Sequence, residues 1–283
     1  MGGDEALVGR MAPLSGKVLA ITGGADGIGR ALAFEGAARG MAVSLADLRA
    51  EPLAVTASEL RARGAEVLTR VVDVAESDAV EAWAEATFSH FGAAHVLVNN
   101  AGVGCVNSAW DTSVAEYERV IGVNLFGVVH GVRAFVPRMI ASGEPGHVLN
   151  VASAAGLLAV PGLAAYCASK FAVVGFSEAL FHDLRVRSTR VGVSVLCPSW
   201  VKTGLAMGEP AEDARPLDAA AQATYRTVTQ AVNDGIDAKS VAGMALDAVE
   251  ADRFYVLTHD TTRTGVSVRS ADLLDGRSPR LLR

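Results

Sequence analysis

Short runs of β-branched and aliphatic residues recur along this chain, separated by longer stretches in which apolar positions return every three or four residues. The runs 18–21, 42–45, 66–71, 96–98, 147–151, 191–196 and 254–257 read as strands. Most are apolar almost without a break, as strands covered on both faces must be. The stretches 27–39, 52–63, 78–91, 114–142 and 165–187 read as helices, and 114–142 reads as two. Several end near a Gly able to take the left-handed cap. Strand and helix alternating in this way build an α/β fold, a doubly wound parallel sheet of about seven strands with helices on both faces.

Two stretches depart from the pattern. From 202 to 233 the chain turns polar and irregular, with Pro210 and Pro216 and no clear strand. A mobile flap over an active site and an ordinary surface insertion both fit it. The segment 261–283 holds five arginines against two aspartates and shows little helical pattern, which suggests a tail or an arm lying on a neighbouring subunit. The expected organisation is an extension over 1–16, one catalytic domain over 17–260 and this C-terminal tail. No internal repeat is visible.

Composition narrows the function classes. The 283 residues are half apolar, with 29 glycines and 20% charged residues, as suits a compact fold rich in tight turns. A net charge of −6 without a long basic run would repel a phosphate backbone, so no nucleic-acid partner is expected. Cys105, Cys167 and Cys197 lack metal-type spacing and read as buried free thiols, which suits a reducing cytoplasmic location. The acidic start, with Asp4 and Glu5, is not a secretory signal, and no membrane segment is expected. The six histidines are scattered without an i, i+4 ligand pair, so no metal site is expected.

The segment 17–29 reads KVLAITGGADGIG, an apolar strand followed by Gly23, Gly27 and Gly29 and then a helical run. Glycines between strand and helix let the backbone approach a pyrophosphate, and the helix N-terminus offers free N–H donors to hold it. Strand, turn and helix in that order point to a Rossmann-type dinucleotide site. Asp47 closes the second strand, where its carboxylate could accept hydrogen bonds from an adenosine ribose and repel a 2′-phosphate. NAD is therefore preferred. NADP stays open, because Arg49 and Arg30 could compensate, and Asp47 could equally be a capping residue.

Tyr166 and Lys170 lie four apart on a helical stretch and so share a face, and Ser153 falls at the carboxyl edge of the 147–151 strand. A tyrosine with its ordinary pKa of about 10 is a poor base at neutral pH. A neighbouring ammonium and the positive ring of oxidised nicotinamide are expected to favour its phenolate, with Ser153 holding the substrate oxygen.

Taken in order, Thr22-Gly-x-x-x-Gly-Ile-Gly29, Asn99-Asn-Ala-Gly102, Asn124, Ser153 and Tyr166-x-x-x-Lys170 resemble the short-chain dehydrogenase/reductase family over about 17–257. The resemblance implies a catalytic tetrad of Asn124, Ser153, Tyr166 and Lys170, with Asn124 holding a water that links Lys170 to solvent. It implies cofactor contacts at Gly23, Asp26, Gly27, Ile28, Gly29, Asp47, Asp73, Val74, Asn100, Ala101 and Gly102. Tyr166, Lys170, Pro198, Val201 and Thr203 complete that set. Ser199 stands where the family usually has Gly, which puts the local turn in doubt. The stretch 122–147 and the ending FYVLTH also resemble bacterial members that oxidise benzylic alcohols, although a subunit-packing helix explains 122–147 as well. The family's habit implies a homo-oligomer, a homotetramer or a dimer.

The function expected is hydride transfer between a nicotinamide and a secondary alcohol or ketone, as a short-chain alcohol dehydrogenase or ketoreductase. The alternative is a non-catalytic NAD(H)-sensing regulator on the same fold. A serine hydrolase is excluded, because Ser153 lies between alanines without a G-x-S-x-G elbow. An epimerase would normally need a further C-terminal domain. The small-molecule substrate is expected to meet Ala155, Val160, Trp200, Leu205 and Met207, a mostly apolar set without an evident anion clamp, so an uncharged hydrophobic or aromatic compound is expected.

Overall fold

The structure, a computed structural model, describes residues 11, 13–204 and 217–281. In chain order its elements are β1 (Val18–Thr22), α1 (Gly27–Ala38), β2 (Ala42–Asp47), α2 (Ala50–Ala62), β3 (Val67–Val71) and α3 (Ser77–Phe91). Next come β4 (Val96–Asn99), α4 (Val114–Ile121), α5 (Gly127–Ser142), β5 (Gly146–Val151), α6 (Ala164–Val186) and β6 (Val191–Cys197). The C-terminal third adds β7 (Val201–Lys202), α7 (Ala219–Asn233), β8 (Ile236–Asp237), α8 (Ala238–Glu250), β9 (Tyr255–Leu257) and α9 (Asp260–Leu274).

Seven strands form one parallel sheet in the order β3-β2-β1-β4-β5-β6-β9. The four central strands are buried at every position, whereas β3 and β9 at the edges are not. Successive residues feed opposite faces. Leu19, Ile21, Val98 and Leu149 pack with Leu32 of α1 and Leu246 of α8, and Ala20, Leu97 and Val148 pack with Trp83 of α3 and Phe135 of α5. That period of two explains the unbroken apolar runs. The chain order reverses between β1 and β4, so a crevice opens at the carboxyl ends of the strands there.

The 114–142 stretch forms α4 and α5 joined without a break by a π-helical turn over Gly122–Phe126. It has mean hydropathy 1.5 and is long and apolar enough to cross a membrane, and half of it is buried inside the molecule.

Two expectations need correction. The 202–233 stretch is not without regular structure: it opens on Lys202 of β7, which pairs with β8, and α7 occupies its last fifteen residues. Pro210 and Pro216 lie outside the described residues. The segment after 260 is a helix for fifteen residues rather than an irregular tail. Its buried residues are Thr262, Gly265 and Asp272, so the buried side carries no apolar periodicity to read.

Candidate active site

The ends of β1 and β4 are laced together under the glycine turn. Thr22 Oγ1 accepts from the backbone N–H groups of Asn100 (3.0 Å) and Ala101 (3.1 Å), while Asn100 Nδ2 donates to the carbonyls of Thr22 (3.0 Å) and Gly23 (3.2 Å). Asn100 thus braces the turn through its side chain. Gly23 and Gly27 have φ of +67° and +53°, which favour glycine. A Cβ at Gly29 would fall on the Gly23 carbonyl oxygen, so glycine there lets α1 start against the strand end. Asp26 caps α1, accepting from Gly27 N at 2.7 Å. The next N–H groups of that first turn have no acceptor within the helix.

Further along the crevice, Asp47 ends β2 and is 6% exposed. Its Oδ2 accepts from Ala25 N (3.0 Å), and its Oδ1 accepts from Arg49 N (3.0 Å) and Arg49 Nε (3.3 Å). Arg30 is turned to Glu59 at 2.7 Å. Asp73 Oδ1 accepts from Ala75 N (2.9 Å), which fixes the loop that carries Val74.

On the other side of the switch point, Ser153 follows β5 and Tyr166 and Lys170 stand on α6. The Ser153 hydroxyl caps a short turn, accepting from Ala155 N at 3.1 Å and donating to the Pro198 carbonyl at 3.4 Å, and it lies close enough to the Tyr166 phenol to oppose the rise in its pKa. Lys170 is 3% exposed, its Nζ donating to the Val151 carbonyl at 2.9 Å and lying 5.8 Å from the Tyr166 ring centre. Burial lowers the Lys170 pKa to about 8. Burial also raises the Tyr166 pKa, against the opposing influence of Ser153. Desolvation thus works against ionisation of the phenol, the opposite direction to the influence expected of a neighbouring ammonium and an oxidised nicotinamide.

Asn124 lies in the π-helical turn and is fully buried. Its Oδ1 accepts from Val103 N (2.8 Å), and its Nδ2 donates to Val103 O (2.9 Å) and Ser169 Oγ (3.0 Å). A Cβ at Gly102 would lie 3.3 Å from Asn124 Oδ1 and 3.4 Å from Lys170 Nζ, so both groups converge on this glycine from behind.

A single cleft of about 900 Å³ runs past these groups. Gly23, Asp26, Gly27, Ile28, Asp47, Asp73 and Val74 line it, as do Asn100, Ala101 and Gly102. Ser153, Tyr166, Lys170, Pro198, Val201 and Thr203 line its other reach. Gly29 and Asn124 are not on its surface and stand behind it. Of the expected substrate-facing residues, Ala155, Val160 and Trp200 line the cleft, and Leu205 and Met207 lie outside the described residues. Sequence reasoning missed Phe171 and the cleft-facing side of α9, including Val268, Arg269 and Asp272. Phe171 stands one turn after Cys167 rather than on the Tyr166 and Lys170 face, and α9 offered no apolar signal.

A family model described as short chain dehydrogenase matches residues 17–214. The CLA biosynthesis dehydrogenase/reductase of Lactiplantibacillus plantarum is 34% identical over 251 residues, covering 86% of this chain and 88% of that one. The 1-deoxy-11-beta-hydroxypentalenate dehydrogenase of Streptomyces exfoliatus is 35% identical over 252 residues, covering 88% and 86%. A short chain dehydrogenase/reductase from Burkholderia phymatum, solved in complex with NAD, superposes with a TM-score of 0.93 at 41% identity, covering 96% of this chain and 99% of that one.

Proposed function

The chain belongs to the short-chain dehydrogenase family, and from that footing we propose that it interconverts a secondary alcohol and a ketone at Tyr166 with a nicotinamide dinucleotide, NAD in preference to NADP. The observation that carries the reading is the meeting of a phenol, a hydroxyl and a buried ammonium in the same cleft that runs over the glycine turn.

The residues fit a dinucleotide. At Gly27 a Cβ would press on Thr203 at 3.1 Å, and Gly23 would meet Asn100 at 2.9 Å, so the backbone is bare where a pyrophosphate needs close approach. Gly23, Asp26, Gly27 and Ile28 would hold the phosphates, Asp47 the adenosine ribose, and Asp73 with Val74 the adenine. Asn100 to Gly102, Pro198, Val201, Thr203, Tyr166 and Lys170 would hold the nicotinamide half. Bound there, the cofactor supplies a carbon centre that gives or takes hydride. The Asp47 charge supports NAD because a 2′-phosphate beside a buried carboxylate is repelled, and Arg49 is already engaged by that carboxylate.

The chain's own work is proton transfer and placement. Ser153 orients the substrate oxygen toward Tyr166. A phenol that keeps its proton is ready to donate it to a carbonyl oxygen, and the reverse reaction returns it. Lys170, with its pKa near neutrality, can resupply that proton. Asn124, anchored by Val103 and Ser169, positions a water for the same relay. The body of the substrate meets apolar walls, including Val160, Leu163 and Trp200, which supports a hydrophobic compound. The relative named for 1-deoxy-11-beta-hydroxypentalenate acts, by that name, on a hydroxylated compound. A cytoplasmic homotetramer or dimer is part of the same reading.

A spectrophotometric screen of secondary alcohols and ketones with NAD and NADP tests it. Turnover is expected with at least one hydrophobic pair and faster with NAD. No turnover with any pair overturns the function, and a clear preference for NADP overturns only the role of Asp47.

A further inference from the structure

Helix α9 adds a charge to a cleft that is otherwise apolar on its substrate side. Thr262, Gly265, Val268, Arg269 and Asp272 recur at three- and four-residue spacing and turn one face of the helix to the cleft. The arginines of this C-terminal region divide sharply. Arg277 and Arg280 are held by the buried Asp272 at 2.8 and 2.7 Å, and Arg263 lies 3.7 Å from Asp260. Arg269 has no carboxylate within ion-pair distance among the described residues. Its guanidinium instead sits over the Phe171 ring, 5.1 Å from the ring centre. A guanidinium held over an aromatic face rather than by a carboxylate keeps N–H donors available for a planar anion.

We propose that Arg269 receives the carboxylate of the substrate, so that the enzyme acts on hydroxy or oxo acids whose reacting carbon is separated from the carboxylate by an apolar segment. This rests on the alcohol and ketone chemistry proposed above and names its substrate class. Phe171 belongs to the apolar cluster that includes Leu163, Cys167, Val228 and Tyr166, so the path from the phenol to Arg269 is hydrophobic. Tyr166 and Phe171 are five residues apart on α6, about 7.5 Å along its axis, a rise that a chain of roughly four to six carbons is long enough to cover. The other described cations of the cleft are engaged: Lys170 by the Val151 carbonyl, Arg49 by Asp47, and Arg277 and Arg280 by Asp272. The chain as a whole carries −6 and offers an anion no general attraction, so selection for one must be local.

The test compares 6-oxoheptanoate with its methyl ester, which has the same body and no charge, using the reduced cofactor that the screen selects. Wild type is expected to prefer the acid in kcat/KM by on the order of 10- to 100-fold, the worth of one charge-assisted pair. Arg269→Gln should bring the ratio close to one, and Arg269→Lys should keep part of it. Arg263→Gln, on the outer side of α9, should leave the ratio at the wild-type value, and matching thermal melting curves show that the variants are folded. A wild-type ratio near one, or a ratio unchanged in Arg269→Gln, overturns the assignment while leaving the oxidoreductase reading intact. Failure to reduce any ketone overturns that reading first.

Discussion

Strand β5 buries polar groups at both of its ends, and the two ends treat them differently. At the amino end His147 is fully buried and its Nε2 pairs with Ser194 Oγ at 2.8 Å, while Ser194 donates to the Arg253 carbonyl at 2.7 Å. The direction of that second bond makes His147 Nε2 the donor, and the other ring nitrogen, Nδ1, lies 3.8 Å from Asp252 Oδ1. At the carboxyl end the Val151 carbonyl accepts from Lys170, whose amine is equally buried but pulled down to about 8 by loss of water. Tyr166 beside it is pushed the other way. At the amino end the buried polar groups meet within hydrogen-bond reach, and at the carboxyl end burial moves Lys170 and Tyr166 in opposite directions, shifts that the proposed proton transfer would use.

The comparison breaks most visibly at Tyr166. Replacing it by Phe is expected to lower turnover by about 10²- to 10⁴-fold with little change in cofactor affinity, read from steady-state kinetics and a cofactor titration. Near-normal turnover would falsify the role of the phenol.

Lys170→Met should lose turnover and gain stability. The folded pKa, about 8, lies below the ordinary lysine value of 10.5, so the neutral form is favoured by folding. The stability linked to it is present above pH 10.5 and lost as pH falls through 8. At neutral pH the charged amine therefore opposes folding by up to about 3 kcal/mol. Chemical denaturation at pH 7 should show the variant to be the more stable protein; a destabilised variant would mean that the bond to Val151 outweighs desolvation.

Ser194→Ala probes the opposite end. It removes the acceptor of His147 Nε2 in a dry site, and a loss of about 1–3 kcal/mol is expected with kcat unaltered. A fall in kcat of comparable size would show that the two ends are coupled.

The smallest effect concerns His95, just before β4 and also on the amino side of the sheet. Its Nδ1 accepts from Val18 N at 3.0 Å, and its Nε2 meets Glu144 at 2.9 Å, with Lys17 on the same carboxylate. Burial lowers its pKa despite Glu144. The stability linked to His95 is then present above about pH 6.5 and lost as pH falls through the lower folded value. Melting temperatures between pH 7.5 and 5 should fall less steeply in His95→Gln than in wild type, and identical slopes would exclude the linkage.

The seven strands and the glycine turn were legible because their signals are local. Strands buried on both faces need continuous apolar runs, and a turn that lets a helix start against a strand end leaves no room for a Cβ at Gly29. Among the elements that escaped, α8 carries helical spacing in Val241, Ala242, Ala245, Leu246 and Val249, whereas α9 and the short β7 and β8 pair lack such signals for different reasons. Two-residue strands are too short to show alternation. The buried stripe of α9 is Thr262, Gly265 and Asp272, and only the arginines that close over Asp272 make a carboxylate acceptable there.

By itself the sequence determined the class of fold, the order of strand, turn and helix at the glycine segment, and the chemical types available to a proton-transfer site. Each follows from spacing along the chain, which is covalent and short-range. Only the tertiary structure decided how those groups ionise and what else meets them. Desolvation set the opposite shifts of Tyr166 and Lys170, and folding brought α9, about a hundred residues away in the chain, against Phe171. Solvent exclusion and distant approach depend on the whole packed molecule, which is why no local pattern carried them.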